Sequence, residues 1–131
     1  MKKQGILNEQ LSALIAATGH TDMVVVTDAG LPIPQEVEKV DLAILPNFPR
    51  FLDVLKAVIS ELSVEKIILA EETEKISPEM YHKIIELFPG IPVETMPHVD
   101  FKRKTKEARA LVRSGEFTPY ANVILVAGVV Y

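Results

Sequence analysis

Residues 23–30 read MVVVTDAG, a short β-branched run that ends in a polar turn. Valine and threonine favour strands, and an unbroken apolar run of this length is typical of a strand buried on both faces. Asp28, followed by alanine and glycine, is typical of a turn. In the LPIP segment at 31–34, each proline disfavours helix in the residue before it. The stretch therefore predicts a buried strand at Met23–Thr27 that opens into a loop.

Helical and strand-like segments alternate along the rest of the chain. The predicted helices cover residues 7–18, 50–62, 77–88 and 99–113, and the further predicted strands cover 41–45, 65–70, 91–96 and 123–130. Such alternation is the pattern of an α/β fold with a largely parallel sheet. We therefore predict a single three-layer α/β domain, residues 1–131, in which a largely parallel sheet is flanked by helices.

Two helix starts carry capping signals. Asn8 is a predicted N-cap of the first helix, and Gly19 is its predicted stop. Ser77 is predicted to cap a later helix, because serine accepts hydrogen bonds from free backbone N–H groups at helix starts. Pro78 then suits the first helical position.

The composition restricts the classes of function. The chain contains no cysteine, which excludes thiol nucleophiles, thiolate metal sites and disulfides, and fits a reducing cytoplasm. Its net charge of −4 argues against a nucleic-acid partner, because phosphate contacts normally need a basic surface. No apolar run reaches the roughly 18–20 residues that span a bilayer. We therefore expect a soluble, cytoplasmic protein with no membrane partner.

The common motifs of cofactor and metal chemistry are missing. The sequence has no G-x-x-x-x-G-K-[ST] or G-x-G-x-x-G loop to hold phosphates, and no G-x-S-x-G nucleophile turn. It also lacks His-x-x-x-His and His-Glu-x-x-His, so a zinc site has no local signature. We therefore expect no cofactor and no metal.

Polar residues follow two of the predicted strands. Asp28 comes directly after the first strand, and His98 follows the strand at 91–96. Ligands of parallel α/β sheets gather at the carboxyl ends of strands, so these two side chains are expected to share a crevice. Asp28 has a simpler interpretation as a turn former. His20 lies in the loop before the first strand, where an ordinary exposed histidine is the simpler interpretation.

The segment 116–122, EFTPYAN, places two aromatics, a proline and an asparagine just before the last strand. Tyr120 and Asn122 offer a hydroxyl and an amide, which are good partners for sugar hydroxyls. Because they precede their strand, a parallel last strand would put them at the opposite end of the sheet from Asp28 and His98. An antiparallel last strand or a neighbouring subunit would bring the four together, and we favour the neighbouring subunit.

Four segments together resemble the D-ribose pyranase family, relatives of the fucose mutarotases. The four segments are the opening K-x-G-I-L-N at 3–8, GHTD at 19–22, DAGLPIP at 28–34 and EFTPYAN at 116–122, and the single residue His98 matches as well. The resemblance runs along the whole chain, in order and at the expected spacing. It implies a cofactor-free isomerase that acts on a free monosaccharide, D-ribose. It also implies a ring-shaped homo-oligomer, pentamers stacked as decamers, with sites shared between subunits.

The same resemblance implies roles for individual residues. The position of His20 is that of the catalytic acid, and the sugar-contacting positions are Asp28, His98, Tyr120 and Asn122. We add Lys102 as a further candidate, because it lies one helical turn beyond His98 and faces the same way if the helix begins there.

The implied reaction passes through the open-chain aldehyde of the sugar. Ring opening removes a proton from the anomeric hydroxyl and delivers one to the ring oxygen, without a redox step. Histidine, with an ordinary pKa of about 6.5, suits both transfers. We predict that His20 protonates the ring oxygen while His98 orients the sugar or takes the anomeric proton; the sequence leaves the division between acid and base open.

Two other functions remain as alternatives. The first is a mutarotase that acts on another sugar, such as fucose. The second is a phosphocarrier or binding module of a sugar system, in which His20 receives a phosphoryl group. Small α/β domains serve both kinds of function, so the fold does not distinguish them.

Overall fold

A six-stranded sheet forms the centre of the computed structural model, which describes residues 1–131. The strands are β1 Met23–Thr27, β2 Glu38–Asp41, β3 Val64–Ala70, β4 Val93–Met96, β5 Ala110–Arg113 and β6 Val123–Ala127. The helices are α1 Glu9–Ala17, α2 Phe51–Ile59, α3 Glu71–Ile76, α4 Pro78–Glu86 and α5 His98–Lys104, with a 3₁₀ turn at Thr105–Glu107.

Five of the six strands run in one direction. In the order β2-β5-β1-β6-β3-β4, the pairs β2–β5, β5–β1 and β3–β4 are parallel, and β6 is antiparallel to both of its neighbours. The predicted α/β fold with a largely parallel sheet is therefore confirmed.

Both faces of the sheet are covered by apolar cores. In β1, Val24 and Val26 point into the larger core, which is shared with α1, α2 and α4. Val25 points to the other face and packs in a smaller core with Phe101 of α5. Burying each such large side chain contributes roughly 1.5–3 kcal/mol. The result is the predicted three-layer arrangement. Because both faces of the sheet are covered, a ligand can bind at the ends of the strands.

The predicted helix at 99–113 is wrong in its second half. The helix ends at Lys104, and residues 110–113 form β5 between β1 and β2. Ala110, Leu111 and Val112 are fully buried. A short apolar run fits a buried helix and a buried strand equally well, and here the pairing with two neighbouring strands decides for the strand.

Two further elements differ from the prediction. The strand predicted at 41–45 lies at Glu38–Asp41 instead, where only Val40 is buried. It is an edge strand rich in charge, as edge strands commonly are, so it lacks an apolar signal. The short polar helix α3, Glu71–Ile76, was not predicted.

The two predicted caps have different outcomes. The Asn8 side chain accepts a hydrogen bond from the Leu11 N–H at 2.9 Å, so the predicted N-cap is confirmed. Pro78 begins α4 as predicted, but Ser77 makes no capping hydrogen bond. Its hydroxyl donates instead to the Pro119 carbonyl at 2.7 Å. None of the helices combines the length and apolar character needed to cross a membrane.

The direction of β6 changes the predicted arrangement of polar residues. Because β6 runs antiparallel to β1, the first residues of β6 lie beside the last residues of β1. Tyr120 and Asn122 therefore meet Asp28 within one chain, and the neighbouring subunit that we favoured as their source is not needed. The prediction of a neighbouring subunit failed because the direction of β6 depends on its pairing with β1 and β3, which the local sequence does not reveal.

Candidate active site

A cavity of about 400 Å³ opens at the end of the sheet that holds the carboxyl ends of the parallel strands. Five of the six predicted site residues line it, namely Asp28, His98, Lys102, Tyr120 and Asn122. They come from the turn after β1, from α5 and from the segment before β6. The fold thus brings together residues far apart in sequence, and only His20 lies elsewhere.

Asp28 holds the turn after β1 and faces the cavity. Its Oδ1 accepts hydrogen bonds from the N–H groups of Gly30 at 2.9 Å and Leu31 at 2.8 Å. Burial raises the pKa of Asp28, although these hydrogen bonds and that from Asn122 oppose the shift. The residue is therefore both a turn former and a wall of the cavity.

Asn122 forms a reciprocal pair with Asp28. The Asp28 N–H donates to Asn122 Oδ1 at 2.9 Å, and Asn122 Nδ2 donates to Asp28 Oδ2 at 3.2 Å. The asparagine is only 1% exposed. Its amide thus joins the start of β6 to the end of β1 and fixes the orientation of the Asp28 carboxylate.

His98 begins α5 and is held between two aromatic rings. The imidazole stacks near Phe101, with ring centroids 6.1 Å apart, and meets Tyr120 edge-on at 4.9 Å. Its Nδ1 is buried and has no hydrogen-bond partner in the chain. Burial and the nearby Lys102 ammonium lower the pKa of His98, while the carboxylates of Glu72 and Asp28 oppose the shift. A neutral imidazole is therefore favoured near neutral pH.

Lys102 lies one turn after His98 on α5 and lines the same cavity. The helix does begin at His98, which is the condition on which the predicted direction of Lys102 depends. The ammonium group provides hydrogen-bond donors for a hydroxylated ligand.

Tyr120 has an uncommon backbone conformation. Its φ is 60°, in the left-handed region that aromatic residues rarely adopt. The carbonyl of Tyr120 accepts hydrogen bonds from the Asn122 N–H and from the Thr73 hydroxyl, both at 2.9 Å. These contacts hold the phenol ring against His98.

His20 lies at the opposite end of the strands from the cavity, just before β1 begins. It belongs to a tight turn in which Asp22 accepts hydrogen bonds from the Gly19 N–H and from Arg109, each at 2.9 Å. These hydrogen bonds lower the pKa of Asp22. The His20 imidazole is exposed, and its Nε2 is 3.0 Å from Glu65 Oε2. Because β1 alone spans about 13 Å at about 3.3 Å per residue, His20 does not reach the cavity of its own chain.

Several supporting residues have no role at the site in the sequence analysis, which predicts only a helix cap for Ser77. They are Glu72, Thr73 and Ser77 in and after α3, and the buried Glu116. Their contacts join segments more than 25 residues apart, which local patterns do not reveal. No three histidine, aspartate or glutamate side chains lie close enough together to hold a metal ion.

A comparison with protein families gives one match over nearly the whole chain. Residues 1–130 match the RbsD / FucU transport protein family. The chain belongs to this family. The resemblance predicted from the four segments is thereby confirmed, and the match covers every candidate residue.

Individual relatives agree with the family assignment. The D-ribose pyranase of Geobacillus kaustophilus (strain HTA426) is 51% identical over 129 residues, which cover 98% of this chain and 95% of the relative. The structure of Bacillus subtilis RbsD complexed with D-ribose superposes with a TM-score of 0.97 at 46% identity, covering 100% of both chains. The fucose mutarotase of Streptococcus pneumoniae, in complex with L-fucose, has a TM-score of 0.75 at 22% identity over 95% of each chain. This last likeness shows the fold alone.

Proposed function

We propose that the chain interconverts the pyranose and furanose forms of free D-ribose. The observation that carries the proposal is the full-length match to Bacillus subtilis RbsD, whose structure is complexed with D-ribose. The cavity of about 400 Å³ is within the usual range for small-molecule sites, and its polar groups suit sugar hydroxyls. The absence of cysteine suits a reducing compartment, and we place the activity in the cytoplasm.

The neutral state of His98 suits it to bind the sugar. Its Nδ1 is buried without a partner in the chain, which leaves Nε2 as the ring nitrogen that meets the sugar. At that position a neutral imidazole orients a sugar hydroxyl through one hydrogen bond or accepts the anomeric proton, the two roles predicted for His98. Asp28, whose carboxylate is oriented by Asn122, accepts from a second hydroxyl. Tyr120 and Lys102 complete the polar wall of the cavity.

The ring oxygen also needs an acid, and we assign that role to His20 of a second copy of the chain. A general acid acts within about 2.6–3.2 Å of its target or through one water. His20 of the same chain lies beyond the length of β1, which is about 13 Å. A neighbouring chain that inserts its 19–22 turn at the cavity supplies the missing imidazole. The catalytic site is then shared between two chains.

The exposed apolar surface supports this association. Ile44, Leu45, Phe48 and Phe117 are each at least 57% exposed near the edge that holds the cavity. Val129 and Val130, 39% and 90% exposed, follow β6 at the edge that holds His20. A contact between two different surfaces of one chain is heterologous, and repeated contacts of this kind form a ring when the rotation between neighbours closes. We therefore propose a ring-shaped homo-oligomer, and its size, a decamer of stacked pentamers, is what the family resemblance implies.

The proposed activity is tested by exchange NMR on D-ribose. The protein is expected to increase the exchange rate between pyranose and furanose anomeric signals above the uncatalysed rate, and to do so less for L-fucose. Fucose exchange faster than ribose exchange would assign the chain to the alternative sugar. No acceleration with any monosaccharide would contradict the proposal.

The electrostatic setting of His98 predicts the outcome of an NMR titration. Because burial and the Lys102 charge lower its pKa, its imidazole should titrate with a midpoint below 6.5. Replacing Lys102 with alanine removes a nearby positive charge, so the midpoint should rise toward 6.5. Lys106→Ala, which removes another exposed lysine from the following turn, is the matched control. A midpoint that is unmoved in Lys102→Ala would contradict the described geometry.

A further inference from the structure

The short helix α3 contacts the wall of the cavity at two points, and Ser77 directly after it provides a third. Glu72 Oε2 accepts a hydrogen bond from the His98 N–H at 2.8 Å. The Thr73 hydroxyl donates to the Tyr120 carbonyl at 2.9 Å, and the Ser77 hydroxyl donates to the Pro119 carbonyl at 2.7 Å. None of these three side chains lines the cavity itself.

We propose that Glu72 and Thr73 are positioning residues. They hold His98 and Tyr120 in the geometry that binds the sugar, but do not touch the sugar themselves. This inference rests on the proposed function for its activity measurements. Its structural part concerns only the imidazole and the phenol ring, so it is also tested without a substrate.

Glu72 satisfies a backbone group that the fold leaves free. His98 is the first residue of α5, so its N–H has no partner within the helix. The Glu72 carboxylate takes that position. A charged acceptor makes a shorter and stronger hydrogen bond than a neutral one. Glu72 therefore fixes where α5 begins and so where the imidazole lies.

Thr73 anchors a residue with a strained backbone. Tyr120 has a φ of 60°, which an aromatic residue keeps only when its surroundings hold it there. Thr73 is fully buried, and its hydroxyl binds the carbonyl of Tyr120 directly. Without that hydrogen bond, the carbonyl keeps its bond from the Asn122 N–H, but the strained backbone of Tyr120 is held less firmly and relaxes toward an ordinary conformation. The phenol ring would then leave its edge-on contact with His98.

Charged groups face His98 from three sides. Glu72 approaches from α3, Asp28 from the turn after β1, and Lys102 from the next turn of α5. The two carboxylates favour the imidazolium, and the ammonium opposes it. Loss of the Glu72 charge therefore lowers the pKa of His98 further, a shift that tests whether the carboxylate lies beside the imidazole.

Paired substitutions separate positioning from general support of the fold. Glu72→Gln keeps an acceptor for the His98 N–H but removes the charge, whereas Glu72→Ala removes both. Thr73→Val keeps the shape but removes the hydroxyl, and Thr73→Ser restores the hydroxyl. Glu74→Ala is the control, because Glu74 is an exposed acid on the same helix.

The test measures ribose exchange kinetics and the NMR titration of His98 in the intact protein. Glu72→Ala and Thr73→Val should each lower kcat/KM by about 10-fold to 100-fold, the scale of a small misplacement of binding groups. Thr73→Ser should recover most of the activity, and Glu74→Ala should match the wild type. Glu72→Gln should shift the His98 midpoint downward.

The outcomes distinguish this inference from the proposed function. Wild-type protein that exchanges ribose, together with Glu72→Ala and Thr73→Val variants as active as Glu74→Ala, would overturn the positioning roles. Wild-type protein that does not exchange ribose would overturn the proposed function. In that case the NMR signals of the His98 imidazole and the Tyr120 ring still decide, because signals that Glu72→Ala and Thr73→Val leave unchanged contradict the positioning roles and displaced signals support them.

Discussion

His20→Ala slows ribose ring interconversion by about 10²–10⁴-fold, the usual contribution of a positioned general acid. The reason is that no other imidazole replaces it at the ring oxygen, since His98 is fixed between two aromatic rings. Stability should be unaffected, because the His20 side chain is 52% exposed and its side-chain partner is the exposed Glu65. Exchange NMR and thermal unfolding measure the two effects.

A second histidine provides the matched control for this variant. His82 is exposed on α4, away from the cavity, so His82→Ala should exchange ribose at the wild-type rate. An exchange rate for His20→Ala equal to that of His82→Ala would remove His20 from the mechanism.

Glu116→Ala destabilises the fold by about 2–3 kcal/mol and lowers activity, because it leaves the buried Phe51 N–H unpaired and removes the partner of the Thr118 hydroxyl. Glu116 is 1% exposed and accepts hydrogen bonds from the Phe51 N–H at 3.1 Å and the Thr118 hydroxyl at 2.8 Å. It thereby ties the start of α2 to the segment that carries Tyr120 and Asn122. Urea denaturation measures the free energy of unfolding, and exchange NMR measures the activity.

Two variants sharpen the Glu116 prediction. Glu116→Gln keeps an acceptor for Phe51 and should lose less stability than Glu116→Ala. Glu94→Ala removes an exposed acid that pairs with Lys66 at the surface, and its effect should stay within about 0.5 kcal/mol. If Glu116→Ala were as stable as Glu94→Ala, the buried carboxylate would not anchor this segment.

The sequence carried enough information for the layers of the fold but not for every element. The runs at 23–27 and 123–127 are buried on both faces of the sheet, so their apolar pattern is strong and both strands were predicted. Residues 110–113 are just as apolar, yet they were assigned to a helix. Their pairing with β1 and β2 is a long-range contact, and only that contact identifies the strand.

The sequence predicts the part of the candidate site that lies at the ends of parallel strands. Asp28 and His98 follow β1 and β4, and the common direction of these strands brings both to one edge. Tyr120 and Asn122 were assigned to a neighbouring chain, because nothing in the local sequence indicates that β6 is antiparallel. That assignment was wrong for these two residues. The need for a second chain remains a proposal, and it now concerns His20.

The supporting residues of α3 had no signal in the sequence. Glu72 and Thr73 lie in a short polar helix that resembles any solvent-exposed turn. Their partners, His98 and Tyr120, are 26 and 47 residues away along the chain. Only the folded arrangement shows that a carboxylate and a hydroxyl from this helix hold the wall of the cavity.

The central claim is that two chains build one catalytic site, and subunit mixing tests it most directly. His20→Ala and His98→Ala are each expected to be nearly inactive alone. When the two variants are coexpressed in equal amounts, about one quarter of the sites should combine an intact His20 from one chain with an intact His98 from its neighbour in the ring. The mixture should then exchange ribose at about that fraction of the wild-type rate. A coexpressed mixture no more active than either variant alone would contradict the shared site.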